Sequence, residues 1–210
     1  DRARKLVPRV RIPPLPPCIK RKFNMIKLNL GCGSKILPGY INIDKFDSYS
    51  PDIVHDLEKF PYPFKDNSVN EILLSHVLEH LGQNPDTFNN IIKELYRICV
   101  NGTKINIIVP PPRHDDFISD PTHVRPITVF GLTLYDQELN KEWEKKGNAN
   151  TPMGIIHDVN FKVIDVNMVL DDKYQSLIKI GKIKHEELKD IISKYNNVVK
   201  EMKIIWKVVK

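Results

Sequence analysis

Two glycines and an aspartate, placed at the ends of two short apolar segments, are the residues whose spacing first predicts chemistry. The apolar segment Ile26–Leu30 runs directly into Gly31 and Gly33, and the next one, Ile41–Asp44, ends in a carboxylate. Glycines let a backbone approach a ligand closely and adopt positive φ. A carboxylate at the tip of the neighbouring strand can accept hydrogen bonds from both hydroxyls of a ribose. The pattern therefore predicts a nucleoside crevice at the carboxyl ends of parallel strands.

Two common nucleotide-binding fingerprints do not match this turn. The dinucleotide fingerprint requires a third glycine where this chain has Ile36. It also places its ribose acid about twenty residues further on, whereas Asp44 comes sooner. A P-loop would need Gly-Lys-Ser/Thr after the turn, and this sequence does not have it. The turn therefore disfavours NAD and excludes a P-loop nucleotide.

The elements that must position these residues alternate between strand and helix patterns. An amphipathic helix follows the fourth predicted strand; Asn84 can cap it, Pro85 suits its first position, and Asn101-Gly102 makes a turn that ends it. Strands alternating with helices predict an α/β fold with a doubly wound, parallel sheet. The predicted strands are 26–30, 41–44, 52–55, 71–75, 104–109, 161–170 and 202–209.

The second half of the chain has a different pattern. Three prolines end the fifth strand at Pro110, and a long polar loop continues to about Pro126. Segments 127–146 and 184–198 have mostly helical patterns. In the second of them, the spacing of the apolar residues predicts one helix face that packs on the core. These residues are Leu188, Ile191 and Ile192.

The charge of the chain is concentrated at its N-terminus. The formal net charge is +6, which by itself would suggest a nucleic-acid partner. Residues 1–24, however, carry eight basic side chains against Asp1 alone, so the remainder of the chain is nearly neutral. This segment also holds five prolines, and we expect a basic, extended or disordered tail, with one domain at 25–210. The near-neutral body disfavours a long nucleic-acid track.

Cysteine usage and hydropathy predict the compartment. The three cysteines are scattered and have neither CxxC nor Cys/His ligand spacing, so neither a disulfide scaffold nor a structural zinc site is expected. No apolar run is long enough to span a bilayer, and the segment before Met25 lacks the apolar region of a secretory signal. We therefore expect a cytoplasmic protein with no membrane partner; its oligomeric state stays open.

Further motifs follow the glycine turn in a fixed order. They are Pro38-Gly39-Tyr40-Ile41-Asn42-Ile43-Asp44, Val54-His55-Asp56-Leu57, the segment 61–69, Ser75-His76-Val77-Leu78-Glu79-His80-Leu81, and Asp120-Pro121-Thr122-His123-Val124-Arg125. Together these motifs resemble the class I S-adenosylmethionine-dependent methyltransferases. The likeness is greatest to a small type 11-like group and covers roughly residues 26–125. The resemblance implies a Rossmann-like, mostly parallel sheet with an antiparallel C-terminal strand. It also implies that the first helix is shortened.

The resemblance also implies which residues hold S-adenosylmethionine. Gly31 and Gly33 would approach its amino-acid end, Asp44 would take the ribose hydroxyls, and Asp56 with Leu57 would contact the adenine. Asn29 stands where the class usually has an acid, so it can accept a hydrogen bond but brings no charge. The implied cofactor-binding set is Asn29, Gly31, Cys32, Gly33, Asp44, Asp56, Leu57, Ser75 and His76.

Three histidines are candidate catalytic groups: His76, His80 and His123. A helix after the fourth strand would put His76, Glu79 and His80 on one face, at the lip of the crevice. The loop that follows strand five also holds ligand-type side chains at His114, Asp115, Asp116 and His123. No fixed spacing supports a metal there, so we expect no metal site and favour substrate binding by this loop.

The resemblance implies a methyltransferase whose acceptor is a small polar molecule such as a sugar or another metabolite. Two alternatives remain. One is a nucleic-acid methyltransferase that uses the basic tail as an arm. The other is a module that binds the cofactor without catalysis.

Overall fold

The computed structural model describes residues 25–210 and contains one seven-stranded sheet. The predicted tail at residues 1–24 lies outside the described residues. The strands are β1 (Ile26–Leu30), β2 (Ile41–Asp44), β3 (Ile53–Val54), β4 (Val69–Ser75), β5 (Cys99–Val109), β6 (Phe161–Leu170) and β7 (Val199–Val208). Their order across the sheet is β3-β2-β1-β4-β5-β7-β6.

The helices are mostly short. They are α1 (Pro85–Ile98), α2 (Asp115–Ile118), α3 (Val129–Thr133), α4 (Gln137–Lys145), α5 (Met153–Ile156), α6 (Asp172–Lys179) and α7 (Leu188–Lys194). Within the described part of the chain, three 3₁₀ helices lie at Asp47–Tyr49, Leu78–His80 and His185–Glu187. No helix among residues 25–210 is both long and apolar enough to cross a membrane.

The strand directions confirm the predicted fold class. Strands β1 to β5 pair in parallel, whereas β7 is antiparallel to both β5 and β6. The segment between β1 and β2 forms turns and bends rather than a helix, as the resemblance implied. From β1 the chain first adds strands on one side of the sheet, β2 and β3, and then on the other, β4 and β5. This change of direction places a crevice at the carboxyl ends of β1 and β4.

Strand β5 begins earlier than the sequence predicted, and the reason is a bulge. Helix α1 ends at Ile98, and the chain enters the sheet at Cys99 rather than turning at Asn101-Gly102. The register between β4 and β5 shifts at this point, and Gly102 adopts φ +84°. The Thr103 hydroxyl lies 2.9 and 2.8 Å from the backbone oxygens of Val69 and Val100, and it can donate its hydrogen to either. A glycine and one hydroxyl therefore let a local turn continue as strand.

The predicted helix at 127–146 is two helices, because Asp136 caps a new one. Its carboxylate accepts from the backbone N–H of Glu138 and Leu139, and α4 begins there. The predicted helix at 184–198 ends at Lys194, before β7. Of the three residues predicted to pack on the core in this segment, only Ile192 does so, and only partly.

The core lies on both faces of the sheet and includes helix α1 as well as large side chains of the antiparallel strands. Helix α1 begins with the predicted Asn84 cap, 2.8 Å from the N–H of Asp86. It buries an apolar face of Phe88, Ile91, Ile92, Leu95 and Ile98. At the β6–β7 edge, Phe161 and Trp206 stack with ring centroids 3.9 Å apart, and both are fully buried.

The stacked Trp206 generates a stability prediction. Its indole N–H is buried and has no hydrogen-bond partner among residues 25–210. Trp206→Ala leaves a cavity beside Phe161 and is expected to cost about 3–5 kcal/mol of unfolding free energy. Trp206→Phe keeps the stacked ring and removes the unsatisfied donor, so we expect a loss of only about 1–2 kcal/mol. Urea unfolding measures both, and equal losses in the two variants would contradict this assignment.

Candidate functional site

A cleft of about 630 Å³ lies at the carboxyl ends of β1, β2 and β4, where the sequence predicted it. This volume is within the range of small-molecule and cofactor sites. The residues that line it are Gly31, Asp44, Lys45, Phe46, Tyr49, His55, Asp56, Leu57, Glu58, His76, Val77, His80, Leu81 and Thr122. Six of the predicted site residues are among them: Gly31, Asp44, Asp56, Leu57, His76 and His80.

The glycine turn is held tightly against β2. The N–H of Cys32 donates to the carbonyl of Ile43 at 2.9 Å, and the N–H of Gly33 donates to the Asp44 carboxylate at 2.8 Å. Gly31 has φ +66°, and a Cβ on it would lie 2.6 Å from a methyl carbon of Val77. Only glycine therefore fits at position 31, because both the backbone angle and the close approach exclude a side chain.

The Asp44 carboxylate is almost completely buried, at 7% exposure, yet it borders the cleft. One oxygen accepts from Gly33, and the other accepts from the N–H of Phe46 at 2.9 Å. A carboxylate offers about four lone-pair positions, so two remain for a ligand. This arrangement can accept hydrogen bonds from a pair of neighbouring hydroxyls.

The predicted adenine-contact residues line the same cleft. The Asp56 carboxylate accepts from the N–H of Glu58 at 3.0 Å, so it also stabilises the turn after β3. Leu57 is buried, and its carbonyl accepts from the Tyr62 hydroxyl at 2.8 Å. This side of the cleft therefore has a backbone that hydrogen bonds hold in place, and it presents the apolar side chain of Leu57 and the carboxylate of Asp56.

Two aromatic residues of the cleft were missed by the sequence analysis. Phe46 and Tyr49 follow β2, and their rings meet edge to face with centroids 6.2 Å apart. They are 52% and 44% exposed, which is unusual for large rings outside a binding surface. The signal in the sequence was an aromatic pair directly after the β2 carboxylate.

Asn29 lies beneath the turn rather than in the cleft. It is buried, and its side-chain amide donates to the carbonyl of Lys35 at 2.8 Å and to the side-chain oxygen of Asn42 at 3.0 Å. The side chain of Asn42 in turn accepts from the N–H of Leu37 and donates to Asp52. Both amide hydrogens of Asn29 are therefore used inside the protein, where they hold the turn to β2.

Cys32 and Ser75 also lie outside the cleft lining. Cys32 is a buried free thiol, and burial, with a smaller contribution from Asp44, raises its pKa. Ser75 is the last residue of β4. Gly33 does not line the cleft, but its N–H donates to Asp44, which does.

His76 lies at the cleft in a strained conformation. Its φ is +55°, so it precedes the 3₁₀ helix at Leu78–His80 rather than belonging to a helix. Its ring nitrogens lie 3.5 Å from Glu79 and 3.2 Å from Glu201. The Glu79 carboxylate raises the pKa of His76 above its ordinary value; burial opposes this effect, and Glu201 adds to it. His76 therefore keeps its proton to a higher pH than an unperturbed histidine does.

The segment between β5 and α3, residues 110–128, is called the β5–α3 loop, and it includes the short helix α2. Its second half closes one side of the cleft. The N–H groups of Val124 and Arg125 donate to the carbonyl of Glu79, at 2.9 and 3.1 Å. This places His123 against His80, with ring centroids 4.5 Å apart. The first half of the loop lies elsewhere. His114, Asp115 and Asp116 line a separate surface depression with Asp171, so they do not join the cleft.

The buried network under the turn generates a prediction. Asn29→Asp replaces two donated hydrogens with an oxygen that faces the oxygens of Lys35 and Asn42. We expect it to lower the free energy of unfolding by at least about 2 kcal/mol. In the matched variant Asn70→Asp, the substituted side chain still accepts from the N–H of Ile26, and we expect a change within about 0.5 kcal/mol. Urea unfolding of both variants is the measurement, and a stable Asn29→Asp protein would contradict the assigned role.

Comparisons with known proteins agree with this architecture. No protein-family model matches the chain, and no curated protein matches it significantly. Among solved structures, it is similar to a SAM-dependent methyltransferase from Archaeoglobus fulgidus, with 17% identity, a TM-score of 0.56, and coverage of 90% of this chain and 89% of the other.

Two further structures are similar at lower scores, on which no argument rests. An S-adenosylmethionine-dependent methyltransferase from Mesorhizobium loti has 14% identity, a TM-score of 0.48, and coverage of 89% of this chain and 92% of the other. A 16S rRNA (adenine(1408)-N(1))-methyltransferase from Catenulisporales acidiphilia has 8% identity, a TM-score of 0.46, and coverage of 91% and 88%. At these identities the similarity concerns the fold: the chain has the Rossmann-like fold of the class I S-adenosylmethionine-dependent methyltransferases.

Proposed function

We propose that the protein is an S-adenosylmethionine-dependent methyltransferase that acts on a small polar acceptor. The observation that carries the proposal is the Asp44 carboxylate. It is buried at the end of β2, tied to the glycine turn by the N–H of Gly33, and still open to the cleft on its free lone pairs. A fold of this class with such a carboxylate suits a ribose-containing cofactor.

The residues present fit the cofactor along the length of the cleft. Asp44 would hold the ribose hydroxyls, the backbone of the turn at Gly31 would border the amino-acid end, and Asp56 and Leu57 would contact the adenine. The exposed ring of Phe46 adds an apolar surface beside Asp44. When bound, S-adenosylmethionine supplies a methyl group that is already activated by a sulfonium centre.

The task left to the protein is to position an acceptor and exclude water. His76, His80 and Thr122 form the polar end of the cleft, and the loop that carries His123 closes it from one side. Holding an acceptor atom in line with the transferred group removes much of the entropic cost that the same reaction has in solution. The three histidines are therefore proposed to orient the acceptor and to manage its proton.

A small acceptor suits both the cleft and the charge distribution. The cleft volume leaves limited space beside a nucleoside cofactor, and the basic excess of the sequence lies in residues 1–24 rather than in the body. We propose the cytoplasm as the compartment, because Cys32 and Cys99 are both free thiols, which suits a reducing environment.

Substitution of Asp44 tests the cofactor assignment directly. Asp44→Asn keeps the shape of the side chain and removes its charge, and its NH₂ group also replaces one of the two oxygens that accept from Gly33 and Phe46. Titration calorimetry with S-adenosylhomocysteine is expected to show binding to the native protein, weakened about 10- to 100-fold by the substitution.

The control is Asp47→Ala, because Asp47 is an exposed acid in the neighbouring 3₁₀ helix and does not line the cleft. It should bind S-adenosylhomocysteine like the native protein. Thermal unfolding of both variants separates lost binding from lost folding. Equal affinity of native protein and a folded Asp44→Asn variant would refute the ribose assignment.

The acceptor class is tested by transfer of a labelled methyl group. The full chain and a variant without residues 1–24 are each offered a panel of small hydroxylated metabolites, and separately RNA and DNA. We expect labelled small molecules and equal rates for the two proteins. Label found only in nucleic acid, and lost with residues 1–24, would favour the basic-arm alternative instead. Cofactor binding without turnover on any acceptor would favour a non-catalytic module.

A further inference from the structure

A buried carboxylate without a hydrogen-bond partner lies beside His76, at the end of the cleft proposed for the acceptor. Glu79 has no exposed surface, and neither of its carboxylate oxygens has a hydrogen-bond partner within residues 25–210. The closest cationic group is the ring of His76, at 3.5 Å, which is too long for a good hydrogen bond. Buried carboxylates are normally paired or bound to a metal. His76 therefore gives Glu79 only a long ion pair, and both carboxylate oxygens are left without a hydrogen bond.

Two histidines meet this carboxylate from different parts of the chain. His80 follows Glu79 directly, and the β5–α3 loop brings His123 to it. One potential ligand atom from each of Glu79, His80 and His123 lies within 4.8 Å of the others. Metal–ligand bonds of about 2.1 Å place ligand atoms up to about 4.2 Å apart. Small side-chain rotations would therefore close the set around one ion.

Hydrogen bonds indicate which ring nitrogen of each histidine keeps a free lone pair. The Nδ1 atom of His123 lies 2.8 Å from the carbonyl of Phe117. A carbonyl can only accept, so Nδ1 carries the hydrogen, and in the neutral ring Nε2 keeps its lone pair. Nε2 is also 3.8 Å from the Asp120 carboxylate, which is beyond hydrogen-bond distance.

His80 is oriented by a short relay. The Thr122 hydroxyl donates to Asp120 at 2.6 Å, so toward Nδ1 of His80, at 2.9 Å, it acts as an acceptor. The Nδ1 of His80 therefore carries the hydrogen, and Nε2 is the free position. Metal-binding histidines typically donate their other N–H to a carbonyl or a carboxylate-linked group in this way.

We propose that Glu79, His80 and His123 bind one divalent transition-metal ion. Two imidazoles and one carboxylate are a donor set for Zn²⁺, Mn²⁺, Fe²⁺ or Co²⁺, and such a set leaves coordination positions open. The sequence analysis predicted no metal because the ligands come from two distant segments without a fixed spacing.

The position of the metal site gives it a role in the proposed methyl transfer. This step of the inference rests on the proposed function. His80 and Thr122 line the cleft, so an open coordination position would face the acceptor. A metal ion there would bind an acceptor oxygen and lower the pKa of a hydroxyl. The inferred acceptor is therefore a hydroxyl compound. His80 and His123 would hold the ion, and the ion would take over from these two histidines the management of the acceptor's proton.

The test is direct metal binding, measured without any activity assay. Untagged full-length protein is treated with a chelator, dialysed, and titrated with Mn²⁺ by calorimetry and with Co²⁺ by visible absorption. We expect one equivalent of each ion to bind. His123→Ala is expected to weaken binding about 100-fold or more, and Glu79→Gln, which keeps the side-chain shape, should do the same. His157→Ala, which alters a partly buried histidine outside the cluster, should leave binding unchanged.

Absence of stoichiometric binding to the native protein would overturn the site, and so would unchanged affinity in folded Glu79→Gln and His123→Ala variants. S-adenosylhomocysteine is titrated into the same metal-free samples. Binding of the nucleoside by protein that takes up no metal overturns this inference alone. Metal uptake by protein that binds no nucleoside supports the metal site and counts against the cofactor assignment.

Discussion

Two buried polar side chains of β2, Asn42 and Asp44, hold the turn after β1 in place, and the cleft depends on them. Asn42 is linked to Asn29 beneath the turn, and Asp44 binds the N–H of Gly33 above it. The turn contains no helix to support it, so these hydrogen bonds replace the packing that a helix would provide. Because the groups are buried, each bond is costly to leave unmade.

This arrangement explains why residue 29 departs from the pattern of the class I methyltransferases that the sequence resembles. A carboxylate at position 29 could not donate to Lys35 and Asn42, whereas an amide donates to both. The change from acid to amide therefore belongs to the short turn between β1 and β2. The amide at position 29 therefore stabilises the turn, whereas the surface of the cleft is formed by other residues.

The parts of the structure that the sequence predicted are those determined by local pattern. Strands β1, β2 and β6 and the cap of α1 follow from apolar spacing and from Asn84 with Pro85. The bulge at the start of β5 could not be predicted, because it depends on pairing with Val69. Likewise, segment spacing could not show that His123 meets His80, since the contact requires the loop to bond to the backbone of Glu79.

The cleft has two ends with different chemistry. The end at Asp44, Phe46 and Leu57 combines a carboxylate with apolar surface, as a nucleoside requires. The end at His76, His80 and Thr122 is polar and overlies the buried Glu79 carboxylate. The carboxyl ends of the inner strands thus bring together a proposed cofactor site and a proposed acceptor site. The loop after β5 adds His123 to the proposed acceptor site.

The central claim is the binding of S-adenosylmethionine against Asp44. A crystal structure of the full chain with S-adenosylhomocysteine tests it most directly. The account predicts both ribose hydroxyls within about 2.7–3.2 Å of the Asp44 carboxylate and the sulfur facing the end formed by His76 and His80. A ligand bound outside this cleft, or one with its ribose away from Asp44, would contradict it.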